Sequence, residues 1–336
     1  MQHRLSLAVV GLAVGATALT TACGSSSSGS GGSDSLTIGY SSPVASQPSQ
    51  QGVIQGLKSG AKSVDGKAEV LDANLSPDTQ VSNVQTMVQK KYGAIALWTL
   101  DAGAMQGTFA QVKSAGIPLI GVNSESDDMT STVWWQLNLC EGDDAPFKQT
   151  AQQIAKWRPH AKVVVMGGPA VPSIQANVKC FTEGAKEAGL TVLTERDNVK
   201  DNSSSAQSLA SDLLTKYKDI DAIWAYNDAT ALGVSAALTQ AGQKISDGTS
   251  AGVIVTGVNG DTDAISAIKQ GRLTGTWDPD PVATGLAVVK AAKDAKDGNP
   301  DKRLVVKSTF WSAANMSDYK SGADRGYTLD NIPLVK

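Results

Sequence analysis

Histidine is the scarcest functional residue of this 336-residue sequence, and its shortage excludes most hydrolytic and zinc-dependent chemistry. Only His3 and His160 are present, and His160 stands in the polar stretch RPHAK. Two isolated histidines supply neither a Ser–His or Cys–His pair for nucleophilic catalysis nor a cluster for zinc. The alternative is an enzyme in which Asp101 and Asp278 form the carboxylate pair of a glycosidase. We nevertheless expect a protein that is not an enzyme, with no catalytic residue, no metal and no cofactor.

An excess of positive charge is also missing. The chain has 29 basic and 32 acidic side chains, a formal net charge of −3 at pH 7. A protein that binds nucleic acid carries a basic patch or stripe, so we expect no nucleic acid partner. Beyond the N-terminus, no apolar run approaches the ~20 residues that a membrane span requires.

The N-terminal segment has the pattern of a secretory signal. A short basic start precedes an apolar core over 5–19 and small residues before Cys23, which predicts a signal peptide over residues 1–22. The tetrad TTAC resembles a bacterial lipobox, in which the cysteine becomes lipidated; the alternative is an ordinary signal with a coincidental cysteine. The Gly/Ser-rich stretch that follows is typical of a flexible tether. We therefore expect residues 23–35 to anchor the protein to the outer face of the cell membrane.

Two further cysteines, Cys140 and Cys180, lie in the rest of the chain. In an oxidising, extracytoplasmic compartment a disulfide between them is plausible. The sequence does not give the distance between them, so two buried thiols remain the alternative.

From Leu36 onward, short apolar runs alternate with helical stretches. This alternation predicts parallel β-sheets covered by helices on both faces, because the strands are nearly continuous apolar runs. The number of strands indicates an α/β protein with two similar, doubly wound lobes. The segments STVWWQLNL and TWDPDP are interpreted as crossings between the lobes. The predicted strands are LTIGY, AEVLD, AIALW, IPLIGV, AKVVVMGG, LTVLTE, DAIWAY, GVIVTGV and RLTGTW, and predicted helices include 78–91, 204–216, 230–241 and 282–297.

Glycine recurs every four residues in the first helix, at Gly52, Gly56 and Gly60. Each costs roughly 1 kcal/mol against alanine in a helix interior. The stripe therefore predicts a helix that packs very close to a sheet.

The polar residues at the predicted strand ends share one chemistry. Parallel sheets place ligand-binding groups at the carboxyl ends of their strands. Amides both donate and accept hydrogen bonds, carboxylates accept from hydroxyls, and an indole covers the C–H face of a sugar ring. In the junction after AIWAY, we interpret Asp228 as a helix cap and Asn227 as the ligand contact. The candidates at strand ends are Trp98, Asp101, Asn123, Asn177, Trp224, Asn227, Asn259, Trp277 and Asp278.

The stretches AYNDATALGVSAALTQAG and VIVTGVNGDTDAISAIKQGRLTGTWDPDPVATGLAVVKAA resemble the solute-binding proteins of ABC sugar importers. The most similar group is the ribose- and galactose-binding type, with the type I periplasmic binding fold that LacI-like repressors share. The resemblance implies two discontinuous lobes joined by a three-segment hinge. One would hold 36–136 and 280–307, the other 137–279 and 308–336.

The resemblance also implies roles for single residues. Asn227 matches the family's ligand-binding asparagine, and Asn259 takes the place of its sugar-binding aspartate. Asn177 replaces an arginine, and Asn123 replaces the aspartate of an Asp-Arg pair. Asp278 falls on the polar hinge position and Gln51 on a contact of the first loop. Because charged family residues are replaced by neutral ones, we expect a cleft with less charge than a ribose site.

These features predict a monomeric, extracytoplasmic lipoprotein that captures a small neutral sugar, modified sugar or polyol by lobe closure. Its partners would be the membrane permease subunits of an ABC importer. The alternative is a surface sensor that binds a signalling molecule with the same fold.

Overall fold

The computed structural model describes residues 35–142 and 145–335. The predicted signal peptide, Cys23 and most of the predicted tether lie outside these residues. In the described part of the chain, no helix combines the length and apolarity of a membrane span.

The first sheet has six strands, all parallel, in the order β11-β5-β4-β3-β1-β2. Helices α1 and α9 cover one face, and α2 and α3 cover the other. We call this unit the first lobe. Its elements are β1 Thr37–Ser42, α1 Pro48–Ser63, β2 Lys67–Asp72, α2 Pro77–Gln89, β3 Ala94–Leu97, α3 Ala102–Ser114, β4 Leu119–Val122, β5 Ser131–Trp135, α9 Pro281–Lys296 and β11 Arg303–Val306.

The second sheet also has six strands, in the order β12-β10-β9-β8-β6-β7. Only the edge strand β12 is antiparallel to its neighbour. Helices α4 and α5 cover one face, and α6, α7 and α8 the other. The elements of this second lobe are α4 Pro146–Trp157, β6 Lys162–Gly167, α5 Pro172–Glu187, β7 Thr191–Asp197, α6 Ser203–Lys216, β8 Ala222–Ala225, α7 Asp228–Gln240, β9 Ile254–Val258, α8 Thr262–Lys269, β10 Gly275–Asp278 and β12 Thr309–Ser312.

This architecture confirms the predicted fold class of two doubly wound α/β lobes. The chain passes between the sheets after β5, after β10 and between β11 and β12. Sequence analysis missed the short strands β11 and β12, each of only four residues.

The C-terminal tail departs from the predicted division of the lobes. Residues 308–336 were assigned to the second lobe, yet the Lys307 amide donates to the Pro333 carbonyl and the Val335 amide to that of Val305, both at 2.8 Å. Leu334 thereby bridges Val306 at the edge of the first sheet. After β12 the chain therefore returns to the first lobe, which gives a fourth connection.

The glycine stripe of α1 contacts a helix, and its predicted contact with a sheet is wrong. A Cβ placed on Gly56 would lie 2.0 Å from the Val282 carbonyl oxygen of α9, and one on Gly285 of α9 would lie 2.1 Å from the Val53 oxygen of α1. Glycines on both helices thus allow the two backbones to approach closely. This packing joins the start of α1 to the crossing that follows β10.

Cys140 and Cys180 form a disulfide in the structure. Cys140 follows a short 3-10 helix over Gln136–Asn138 in the first crossing, and Cys180 is buried on α5. The bond therefore fastens the crossing segment to the body of the second lobe.

Candidate functional site

A cavity of about 90 Å³ lies between the lobes, at the carboxyl ends of both sheets. Its walls follow β1 and β3 of the first sheet and β6, β8 and β9 of the second. We call this cavity and its lining residues the cleft. Four predicted site residues line it: Trp98, Asn177, Asn227 and Asn259.

Asn227 stands at the junction of β8 and α7 and caps the helix. Its Oδ1 accepts from the Thr230 amide at 2.8 Å, while its Nδ2 donates to Asp201 Oδ1 at 2.7 Å. The prediction that Asp228 is the cap is wrong, because α7 begins at Asp228 itself and Asn227 is its N-cap. Asp228 is instead buried, and its carboxylate accepts from Thr276 Oγ1 at 2.6 Å and from the Asp261 amide at 2.8 Å. It joins α7 to the ends of β9 and β10.

Asp201 is the main residue of the cleft that sequence analysis missed. It accepts hydrogen bonds from the Tyr226 hydroxyl, from Asn227 and from Gln47 Nε2, the last at 2.8 Å. Burial raises the pKa of Asp201 above its ordinary value, while these hydrogen bonds act in the opposite direction. The cleft therefore contains one carboxylate that sequence analysis did not predict, and its other lining residues are uncharged. Lys200-Asp201-Asn202 has the composition of a solvated turn, and only the positive φ of 50° at Asp201 sets it apart.

Two indoles form the apolar wall of the cleft. Trp98 Nε1 donates to Ser173 Oγ across the cleft at 2.9 Å, and its ring meets that of Trp135 edge-on at 4.8 Å between centroids. Trp135, which sequence analysis did not single out, donates from Nε1 to Thr284 Oγ1 of α9 at 2.9 Å. The Trp98–Ser173 bond joins the two lobes directly, as does the Gln47–Asp201 bond.

Amide side chains provide most of the remaining polar lining. Asn177 of α5 donates from Nδ2 to Asn138 Oδ1 at 2.8 Å, and Asn138 belongs to the first crossing. Gln50 of α1 accepts through Oε1 from the Tyr40 hydroxyl at 2.7 Å. Asn259 follows β9 with a φ of 122°. Asn138 and Gln50 were not predicted, since neither follows a strand directly.

Gln51 and Asp278 line a second cavity of about 580 Å³ beside the cleft, which Asn259 also lines. The Asp278 carboxylate is already engaged: it is paired with Arg325 and accepts from Trp311 Nε1 at 3.1 Å. Burial raises the pKa of Asp278, and Arg325 lowers it. The structure thus places Asp278 in an ion pair at a crossing segment.

Two predicted tryptophans lie in or against the hydrophobic core, outside both cavities. Trp224 is 0 % exposed, stacked on Phe181 at 4.8 Å between ring centroids. Trp277 donates from Nε1 to Thr150 Oγ1 at 2.7 Å and packs against Phe310. Both stand one residue before their strands end, with side chains that point to the sheet face covered by α4 and α5.

Asp101 and Asn123 also lie outside the lining of both cavities. Exposed Asp101 caps α3 by accepting from the Ala104 amide at 2.8 Å. Asn123 is buried with a φ of 48°, and its Oδ1 accepts from the Trp135 amide at 2.7 Å. Both side chains therefore have structural roles. No group of metal-ligating side chains is found within the described ranges.

Comparison with known proteins places this geometry in context. The family described as periplasmic binding protein domain matches residues 38–300. The ribose import binding protein of Bacillus subtilis is 24% identical over 279 residues, which cover 83% of this chain and 87% of the relative. The xylitol-binding protein of Mycolicibacterium smegmatis is 27% identical over 295 residues, with 85% and 80% covered.

Solved structures show the same fold. An ABC transporter solute-binding protein from Bacillus halodurans with bound myo-inositol superposes with a TM-score of 0.74 at 23% identity, covering 87% of this chain and 99% of the other. The Caulobacter myo-inositol binding protein gives a TM-score of 0.76 at 22% identity, with 86% and 97% covered.

Proposed function

The chain belongs to the periplasmic binding protein family, whose matched members bind solutes and are not enzymes, and we propose that it captures a small sugar or polyol in the cleft. The observation that carries this proposal is the composition of one cavity at the carboxyl ends of both sheets. It combines several amides with two indoles and a carboxylate. Amides and carboxylates suit hydroxyl groups, and indoles suit the apolar faces of a sugar ring.

The proposed binding of a sugar or polyol requires the two lobes to separate and then close again. The cavity of about 90 Å³ is well below the ~300 Å³ at which ligand pockets usually begin. A ligand must therefore displace direct contacts between the lobes, such as those from Gln47 to Asp201 and from Trp98 to Ser173. Hinged closure around a ligand is the usual movement of such two-lobed proteins.

The first test is a thermal-shift screen followed by calorimetry. The relatives make ribose, xylitol and myo-inositol the first probes, extended to other pentoses, hexoses and polyols. A micromolar ligand, equivalent to about −8 kcal/mol, raises the melting temperature as its concentration rises. The proposal fails if no sugar or polyol in the panel stabilises the protein.

Asn227→Ser tests the site itself. Serine also caps helices, so α7 is preserved while the amide that donates to Asp201 is lost. We expect at least tenfold weaker binding with a nearly unchanged melting temperature. Asn331→Ser is the matched control, because Asn331 also accepts from a backbone amide, in an exposed C-terminal turn. Equal affinities of the two variants would reject the role of Asn227.

The proposal extends to residues outside the described ranges. Residues 1–22 are removed as a signal peptide, Cys23 is lipidated, and the permease subunits of an ABC importer receive the ligand. Cys23→Ser should move the protein from the membrane fraction to the soluble one. Deleting the gene should abolish uptake of labelled ligand, whereas unchanged uptake would favour a sensor.

A further inference from the structure

Asp201 gives the cleft a charge that none of its other lining residues balances. Of the nineteen described residues that line the cavity, Asp201 alone is charged. Two cations, Lys58 and Arg325, line the second cavity. Arg325 is committed there to Asp278 and Asp280.

The partners of Asp201 are all neutral. Tyr226 and Asn227 belong to the same lobe as Asp201. Gln47 belongs to the other lobe, just before α1, and donates to Asp201 Oδ2 at 2.8 Å. Opening of the lobes would separate Gln47 from Asp201 and leave that oxygen free for a donor on the ligand.

We propose that Asp201 selects the charge of the ligand: the cleft prefers a sugar or polyol with an amino group over the same skeleton with a hydroxyl group, and rejects the corresponding acid. This inference rests on the proposed function, since it concerns the same cleft. An ammonium group supplies the positive charge that the protein lacks at this point. Hydrogen bonds between charged groups are roughly twice as strong as those between neutral groups.

Other features of the cleft favour the same class of ligand. Trp98 and Trp135 line the same cleft as Asp201, and indole faces attract cations. Burial and then the negative charges of nearby carboxylates, Asp278 first and Asp201 last, raise the pKa of Asp261 next to the cleft. The share of this rise that comes from carboxylates is the effect of a negative potential at this edge of the cleft. A ligand carboxylate or phosphate would meet this negative potential without a basic partner in the cleft.

The test uses matched ligands with the full-length protein. Each series keeps one skeleton: glucose with its 2-, 3- and 6-amino-deoxy forms and glucuronate, galactose with its corresponding forms, and myo-inositol with its amino-deoxy isomers. Affinities come from calorimetry. We expect at least one amino isomer to bind tenfold or more tightly than its hydroxyl parent, and both acids to bind at least tenfold more weakly.

The variant Asp201→Asn tests whether this carboxylate causes the preference for an amino group. Asparagine tolerates the positive φ at this position, so the variant should fold. It should lose the preference for the amine, so that the amino form and its hydroxyl parent bind the variant with similar affinities. Asp197→Asn is the control, because Asp197 lies four residues away and lines a different cavity; it should retain the preference.

The outcomes separate the two proposals. If hydroxyl parents bind and no amino isomer gains affinity, the inference about Asp201 is overturned and the proposed function stands. If the amine preference persists in Asp201→Asn, another group selects the charge and the inference is again overturned. If no compound of the wider sugar and polyol panel and no amino form binds, both proposals fail.

Discussion

Replacing Arg325 should destabilise the protein more than replacing any exposed arginine. Arg325 belongs to the C-terminal tail and pairs with two aspartates of the crossing after β10. Its Nη2 contacts Asp278, and its Nη1 lies 2.8 Å from Asp280 Oδ2. The arginine side chain is 12% exposed, and the two carboxylates are 4% and 5% exposed. Arg325→Met keeps the apolar stem and removes the charge.

The expected loss follows from the charges that remain. Removing one partner of a buried ion pair costs about 3–5 kcal/mol, because the other charge stays buried without compensation. Arg325→Met leaves two such carboxylates only two residues apart in the chain. We therefore expect the free energy of unfolding to fall by about 3–5 kcal/mol at pH 7.

Urea unfolding followed by tryptophan fluorescence measures this loss. Arg272→Met is the control, since the exposed Arg272 guanidinium donates to Gln270 two residues before it; it should change stability by less than about 0.5 kcal/mol. The double variant Arg325→Met/Asp278→Asn has one fewer buried carboxylate without a partner. It should therefore recover part of the lost free energy of unfolding.

The loss of stability in Arg325→Met should depend on pH in a defined direction. Burial raises the pKa of Asp278, and Arg325 opposes this rise, so the folded variant binds a proton at Asp278 more tightly than the unfolded chain does. A group with a raised carboxyl pKa favours folding as the pH falls, and the deficit of Arg325→Met should therefore shrink towards acidic pH. A loss below about 1 kcal/mol at pH 7, or one that grows on acidification, would refute the reasoning.

Three further predictions concern separate features. Reducing the Cys140–Cys180 bond, which spans 40 residues, should lower the free energy of unfolding by about 4 kcal/mol; an unchanged urea midpoint under reducing conditions would contradict this. Burial and nearby carboxylates raise the pKa of Asp261 to about 7. Its contribution to stability is thus lost as pH rises from about 4 to 7, and melting curves of Asp261→Asn should show less of this loss. Gly56→Ala should destabilise by about 1–3 kcal/mol through overpacking, whereas Gly107→Ala, with open space around it, should stabilise by about 0.5–1 kcal/mol in the same assay.

The sequence predicted the elements of the fold well because local patterns determine them. The helix expected over 204–216 spans Ser203–Lys216, and the one expected over 282–297 spans Pro281–Lys296. Ser76 caps α2 by accepting from the Thr79 amide at 3.2 Å, and Pro77 follows at the first helical position. Caps, prolines and apolar runs act over a few residues, so one sequence suffices to identify them.

The sequence predicted the cleft only in part, because its composition depends on contacts between distant segments. Trp98 and Asn227 could be found from their place after a strand. Trp224 stands one residue before its strand ends, and that short distance places its ring in the core. Asp201 and Gln47 are separated by 154 residues, and nothing local to either residue predicts that they meet.

The ion pairs of the C-terminal tail and the contacts across the cleft respond differently to the proposed movement of the lobes. The Gln47–Asp201 and Trp98–Ser173 bonds join the two lobes across the cleft, so separation of the lobes must break them. The bonds of Arg325 instead lie on a segment that itself crosses between the lobes, where a hinge movement displaces atoms least. The ion pairs can therefore persist in both states. On this reasoning they set the stability of the hinge, whereas the ligand competes only with the contacts in the cleft.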